Sequence, residues 1–599
     1  DTMNSPPSLA VLYDKVGGPG NVTVALESDQ RVATFEVELT DARFANRGDF
    51  ATDLMLVGVT GAVATAPEYS PVVVCDITVT RKPPSGDPPG FGWLDLAIQD
   101  ETGAATAVRL GLYDSDDRMP IVSEDAALIR EFSDRTRTYL MQASTIWPSD
   151  NRFVFYADGT YRARVPAGSY RLVASKGIEY RFVDRTIEVK PGVVTSETIR
   201  LQRYANQPAA GWFSGDVHIH NLRQDSADNR SLLVQTRGED LHVSNILKMG
   251  NVAGTHFPQL GWGESGRYTQ GHHSLVAGQE DPRTLTLGHT IHLNIDEPVR
   301  FPDEYLSYHK VFEAVAAQGG ISGIAHAAGG LPGTAEGMTM QAAFGLLDFG
   351  EVMQGGAIGT DVWFALLNLG YRVAPAAGTD YPYIDHPGAV RSYVKSSRGY
   401  AIDAWFEGMD KGHTYVTNGP FLSFTLNGHE MGSEVRVSSG DSLQFVASAS
   451  LNPDLGALER IELIKFGEVI ASDAAASGVQ ELELSHEMNA GASGWYVVHA
   501  VANRPGHDGY IGAMTAPVYV VVDDDVRTWN RSAAPQIANN LINALEAVKN
   551  RTAETVIESE GWQSMPVWAE QFDTQLAAAR ARIEEVQGKL RKLAQEAGE

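Results

Sequence analysis

At 599 residues the chain is too long for one hydrophobic core, and three to five domains are expected. Its 43 % hydrophobic content is that of a folded, soluble protein, and no run of about 18 apolar residues is present to span a bilayer. The formal charge of −28 opposes docking on nucleic acid or on an anionic membrane. The expected partner is therefore a small molecule, neutral unless metal ions supply local positive charge. The one cysteine, Cys75, lies in an apolar run and excludes an intrachain disulfide. The first residue is Asp1, which fits a bacterial periplasmic chain with its leader removed or a cytoplasmic one.

Residues 1–80 read as a β domain, with period-two alternation at 22–26 and 33–39 and a buried strand at 72–80. The Pro/Gly-rich stretch 81–90 is the clearest linker. A second β unit occupies 81–205, interrupted by a partly helical excursion at 117–150. Its phrase VPAGSYRLVASKG resembles the small regulatory-like sandwich of carboxypeptidases, which implies a non-catalytic module.

Residues 206–420 alternate helices (around 312–318, 342–347 and 360–369) with short apolar strands, which predicts a mainly parallel sheet. His220, His326 and Asp380 each end an apolar run, and Glu351 lies in or near one. In a βα-barrel such positions supply the active site. Strands return over 421–526, as expected of another sandwich. The helical segment 527–599 carries Phe572, Leu576, Ala579, Ile583, Val586, Leu590 and Leu593 at steps of three and four. That stripe suits either a helix packed on its own chain or a homodimer through the C-terminal helices.

The most informative passage is GWFSGDVHIH, residues 211–220. On an ideal strand Asp216, His218 and His220 share one face, so the imidazoles are able to hold one metal while the carboxylate orients a ring. The chain has 16 histidines, and 10 of them fall between His218 and His326. Further along, an apolar run ends on Glu280, His289 and His292 follow, His326 precedes a glycine-rich turn, and Asp380 repeats that pattern. His289 and His292 are three apart and face opposite sides of a strand, so they cannot both ligate one centre.

In this order D-x-H-x-H, G-x-E, G-H, A-H and G-T-D resemble the polymerase and histidinol phosphatase (PHP) superfamily of metallohydrolases. The phrases GWFSGDVHIH, EDLHVSNILKMGN, GQEDPRTLTLGH, AHAAGG, GTDYPY and VTNGPFLSFTLNG look more specifically like the CehA/McbA type, which includes carbaryl (carbamate) hydrolases. The resemblance covers roughly 206–430. It implies multidomain α/β plus all-β architecture: a distorted βα-barrel flanked by β-sandwiches, with a C-terminal helical segment. It also implies one ion on His218, His220, Glu280 and Asp380, and a second bridged by Glu280 to His289 and His326. The family's third ion loses its ligands here, because Lys248 and Met249 stand where Asp and His are expected, and Tyr381-Pro382 follows Asp380. One or two divalent ions are therefore expected; zinc is favoured, and manganese, iron or cobalt also suit mixed ligands.

Three clustered cations suit phosphate esters. A one- or two-metal site with Met249, Phe257, Trp262 and Tyr381 nearby suits a neutral ester, carbamate or amide. His256 or His272 is the candidate acid for the leaving group. Lys248 is a candidate oxyanion stabiliser or carboxylated ligand, and reads equally well as an ordinary ion-paired lysine. His292 is expected to be structural or to sit beside the ligands, Glu351 is expected to orient a ligand histidine, and Arg391 to anchor a nearby loop. A phosphoesterase, and a non-catalytic binding protein with a degenerate site, are the competing expectations.

Overall fold

Leu94, Leu96 and Ile98 are buried at alternate positions of the strand Phe91–Gln99, and Tyr161, Ala163 and Val165 repeat the pattern on its antiparallel neighbour Thr160–Pro166. Each strand thus offers one apolar face to a second sheet, in which Ala107–Tyr113 is buried along its whole length. The result is a two-sheet sandwich. The computed structural model describes residues 90–599 except 121, 124, 128, 131–136, 139–140, 143–152, 507–508, 562–565 and 599. Before residue 90 it describes 37, 39 and the strands Ser8–Lys15, Gly18–Ala25, Leu54–Thr60 and Glu68–Tyr69. The strands expected at 33–39 and 72–80, Cys75 and the 81–90 linker lie almost wholly outside the described residues. In the 117–150 excursion the described residues hold three two-residue strands, and most of the stretch expected to be partly helical lies outside the described residues. Two compact units result: 1–128, 138–175 and 182–201 in one, and 129–137, 176–181 and 202–599 in the other.

The second unit runs β1 (Trp212–Ile219), α1 (Ser226–Gly238), β2 (Val243–Asn251), β3 (His273–Glu280), β4 (Gly288–Leu293), α2 (Tyr308–Ala317), β5 (Ile321–Ile324), α3 (Thr334–Phe344), β6 (Phe349–Gln354), α4 (Asp361–Asn368), β7 (Ala374–Ala377), β8 (Arg391–Lys395), α5 (Ile402–Asp410) and β9 (Thr414–Thr417). Every residue of β1 is buried, as expected of a strand covered on both faces. The pairs β1–β2, β2–β3, β5–β6 and β6–β7 are parallel, whereas β4 is antiparallel to β3 and β5. Val217, Leu247, Val276, Ile291 and Ala376 form one core with Trp405 and Phe406 of α5. Asp225 starts α1 by accepting from the N–H groups of Ala227 and Asp228. The helix expected at 342–347 instead ends at Phe344, because Gly345 adopts φ 70° and stops it.

Strand β9 pairs with β8 on one side and with Ile511–Thr515 on the other, so the C-terminal strands continue the same hydrogen-bonded sheet. A separate sheet of Phe421–Leu426, His429–Glu430, Ser442–Ser450 and Glu481–Asn489 completes the C-terminal β region. Helices α6 (Ala534–Lys549), α7 (Ala553–Ser559) and α8 (Pro566–Gly598) follow. Ile583, Val586 and Leu590 of the α8 stripe are buried with Met340 of α3 and Leu545 of α6, while Phe572, Leu576 and Ala579 pack with Tyr305 and Val556. The stripe is thus covered by its own chain, the first of the two arrangements its spacing suits. No helix among the described residues is long and apolar enough to cross a membrane.

Two histidines of this unit are structural and predict acid lability. His292 faces away from His289 on β4, lies against the Phe312 ring at 4.9 Å and places Nδ1 2.8 Å from the Ser322 hydroxyl. Its position under α2 makes it structural, one of the two roles expected of it. Burial pushes its imidazole down to about 3, and burial likewise pushes His242 down to about 4. Below about 6.5 the unfolded chain takes up protons that these rings refuse, so stability falls as pH drops towards those values. At pH 5 the loss is about 2 kcal/mol for each ring. Denaturant titrations at pH 7 and 5 should show a smaller loss in His292→Gln than in the parent. Equal losses would contradict this assignment.

Candidate metal centre

A bulge in β1 shapes the site. Asp216 pairs with Ser244 and Ile219 with Ile246, so three residues of β1 advance against two of β2 between those pairs. Asp216 and Ile219 therefore face one side, and His220 faces the other. This corrects the expectation that Asp216 shares a face with the histidines and orients a ring. Its buried carboxylate accepts instead from the N–H groups of His218 (3.0 Å), Thr379 (3.1 Å) and Gly388 (3.0 Å) and from the Thr379 hydroxyl (2.6 Å). Burial raises it to about 6 despite these donors. Asp216 thus ties β1 to the turn that carries Asp380.

Beyond the bulge, His218 Nε2 and His220 Nε2 stand 3.1 Å apart. Asp380 Oδ1 lies 3.3 Å from the first and 3.4 Å from the second. Glu280 Oε2 is 3.2 Å from His220 Nε2, and Glu280 Oε1 is 3.8 Å from His218 Nε2. Ligand atoms around a tetrahedral ion with bonds of about 2.1 Å are separated by about 3.4 Å, so this spacing suits a single ion. On the far side of Glu280, Oε1 lies 2.8 Å from His289 Nδ1 and 3.6 Å from His326 Nε2, and those two nitrogens are 3.1 Å apart. The six side chains expected as ligands come together in two overlapping groups that share Glu280.

The carboxylate of Glu280 is the most telling of these groups. It is 1 % exposed, and neither oxygen has a hydrogen bond of acceptable geometry, although Arg283 Nε comes within 2.9 Å of Oε2. Burial opposes its charge, yet Arg283, His289, His218 and His220 hold the carboxyl well below the usual carboxylate range, and an anion so placed would bind cations on both sides. The surrounding field also attracts cations. Burial opposes charge on His218, yet Glu351, Asp380 and Glu280 hold its imidazole well above its usual range.

Backbone and supporting contacts fix the ligands. His326 and Asp380 adopt φ values of 63° and 49°, left-handed conformations that non-glycine residues keep only where their surroundings enforce them. Gly378 precedes the Asp380 turn because a Cβ there would lie 2.2 Å from Glu351 Oε1 and 2.4 Å from His218 Cβ. Glu351 lies 2.9 Å from His218 Nδ1 and accepts from the His326 N–H at 2.8 Å, so one carboxylate steadies a ligand in each group. His220 Nδ1 is 3.1 Å from the Leu247 carbonyl, which leaves Nε2 for the cluster. Buried Arg391 holds the Gly388 carbonyl with Nε at 2.9 Å and the Glu239 carbonyl with Nη1 at 2.9 Å, bracing the loop that also reaches Asp216.

The structure corrects other expected roles. Lys248 is paired with Gln279 and Met249 with Glu280, so alternation turns Lys248 away from the cluster and Met249 towards it. Lys248 is therefore in no position to act as oxyanion donor or ligand. His272 precedes the first residue of β3, eight residues from Glu280 and about 26 Å along an extended strand. Its ring packs against Tyr400, so it is no acid for this site. His256 is exposed and pairs directly with Met249, so it shares the face that Met249 turns towards the cluster. Tyr381 contributes its carbonyl, which accepts from the His220 N–H at 2.7 Å. Trp262 packs against Ile295 and Val299 in a satellite core instead of lining the site.

Besides Phe257, four participants escape the sequence reading: Tyr383, Gln354, Arg283 and Glu560. The Phe257 ring, noted only as near the motifs, stacks on His220 at 5.3 Å, and Tyr383 meets the same imidazole edge-on at 5.7 Å. Gln354 places Oε1 2.8 Å from His326 Nδ1. Arg283 touches Glu280, and Glu560 beyond α7 accepts from Leu285 N at 2.9 Å and the Thr286 hydroxyl at 2.8 Å, fixing the loop between Arg283 and His289. Only Arg283 carried a local signal, standing three residues after Glu280.

No protein-family model matches the chain, and comparison with curated proteins finds no match. Among solved structures, the fibronectin(III)-like modules of Clostridium thermocellum CbhA are similar to part of it, with 22 % identity over 17 % of this chain and 98 % of that one. The TM-score is 0.12, and that likeness carries no argument about fold or function.

Proposed function

We propose that the chain is a metal-dependent hydrolase of the PHP superfamily, CehA/McbA type, that cleaves an ester or carbamate bond of a small aromatic molecule. The observation that carries this reading is Glu280, buried with one oxygen 3.2 Å from His220 Nε2 and the other 2.8 Å from His289 Nδ1. A distorted βα-barrel is supported by β1, which pairs with both β2 and β8, and by ligands at the ends of β3, β5 and β7. Divalent ions held there would activate water and polarise a carbonyl. The protein's own contribution is positional: Glu351 and Gln354 orient the rings of His218 and His326, while Asp216 fixes the Asp380 turn. Phe257, Tyr383 and Met249 supply an apolar rim against which an aryl group packs. Hydrolysis then joins the oxygen of water to the carbonyl carbon and breaks its bond to the phenolic oxygen, which leaves with a proton from the water.

Phosphoesterase action is the second reading, and the cation Arg283 beside Glu280 favours it. Against it stand Met249 and Pro382 at positions where the resembled family supplies third-ion ligands. Metal-replete protein should hydrolyse an aryl carbamate or nitrophenyl acetate faster than nitrophenyl phosphate, and chelation should abolish the activity. Absence of carbonyl-ester turnover, or a preference for the phosphate, would overturn the proposal.

A further inference from the structure

Among the described residues, Arg283 is the one lysine or arginine paired with a carboxylate of the metal cluster. It lies on the short strand Arg283–Thr284, where its backbone pairs with the ligand His289. Its N–H donates to the Tyr305 hydroxyl at 3.0 Å, and Glu560 holds the two residues that follow Thr284. The side chain is 22 % exposed, with Nε 2.9 Å from Glu280 Oε2 and 3.4 Å from His289 Nδ1. No described residue takes a hydrogen bond from either Nη, so the outer edge of the guanidinium fork is open to solvent and to a ligand.

We propose that Arg283 is the substrate's oxyanion-binding residue, its Nη groups donating to the oxygen that becomes negative when water adds to the scissile carbonyl. This rests on the hydrolase reading of the same site. The geometry supplies the argument: Arg283 reaches a carboxylate shared by both ligand groups, so an oxygen seated over the cluster falls within reach of the fork. As the oxygen of water bonds to carbon, the carbonyl π pair moves onto oxygen, and a planar cation meets that charge at two points. When the pair returns and the phenolate departs, the contact weakens. Lys248 faces away and does not compete for the role. The Phe257 and Tyr383 rings beside His220 place the aryl group next to this donor. The inferred substrate class is therefore an aryl ester or carbamate.

The test compares the metal-replete parent with Arg283→Gln and Arg283→Lys in elemental analysis, aryl acetate kinetics and calorimetric binding of phenylphosphonate, a tetrahedral anion. Arg283→Gln should keep the parent's metal content and a KM close to the parent's. Its kcat should fall about 100- to 1000-fold, the usual effect of losing one oxyanion donor. Arg283→Lys, which preserves the charge and guards against a folding failure, should recover only part of that loss. Phenylphosphonate should bind at least tenfold more weakly to Arg283→Gln. Unchanged kcat in both variants with parental metal content would overturn the inference while leaving the hydrolase reading intact. Metal loss in both variants would also overturn it, by assigning Arg283 to holding Glu280. If the parent cleaves no ester, the hydrolase reading fails; weaker phenylphosphonate binding by Arg283→Gln would still establish the anion site.

Discussion

Glu280→Gln is expected to lose both metal ions and at least about 1000-fold in kcat/KM, the larger end of what removing a charge-stabilising group costs. Nearly isosteric, the amide preserves packing in a position that is 1 % exposed. It removes the negative charge that stands 3.2 Å from His220 Nε2 and 2.8 Å from His289 Nδ1, and it brings an NH₂ group that repels cations. A ligand confined to one ion would leave the other in place when replaced; a shared one should not. Elemental analysis of desalted protein beside steady-state kinetics checks both parts, with His292→Gln as the fold control. Retention of one ion in Glu280→Gln would show that the two groups load independently.

Chelation should lower the melting temperature, and zinc or manganese should restore it. An ion that binds only the folded chain, at a free concentration about 1000 times its Kd, adds about 4 kcal/mol of stability. The metal-free site has a clear reason to be unstable. His218 and His220 aim Nε2 atoms at each other across 3.1 Å. Scanning calorimetry with and without chelator measures the difference at pH 7, where the His292 and His242 contributions are constant. Identical transitions would contradict metal binding in the native state.

His220, Glu280, His326 and Asp380 were legible because each ends an apolar run, a pattern that survives in one dimension. His218 lies inside β1 and was marked by its spacing from His220, whereas His289 lies at the start of β4 and only the family resemblance added it. The role of Asp216 was not, because it depends on one extra residue in the pairing of β1 with β2, and a bulge leaves no mark on a period-two pattern. His272 attracted attention by composition alone; strand direction puts it at the wrong end of β3. Gln354 and Glu560 act across the fold, Glu560 on residues 274 and 275 positions away, and no local motif announces such partners. The α8 stripe has the same spacing whether it faces a second copy or its own α3 and α6, and only the packing decides. The alternation of strands and helices from 206 to 420 was readable, whereas the antiparallel course of β4 and the sheet continuing through β9 were not.

Metal stoichiometry bears on the central claim most directly. Protein loaded with zinc or manganese, desalted and assayed by elemental analysis should carry two ions per chain, and Glu280→Gln prepared in parallel should carry none. A parent protein that retains no metal after loading would contradict the metal centre and the hydrolase built on it.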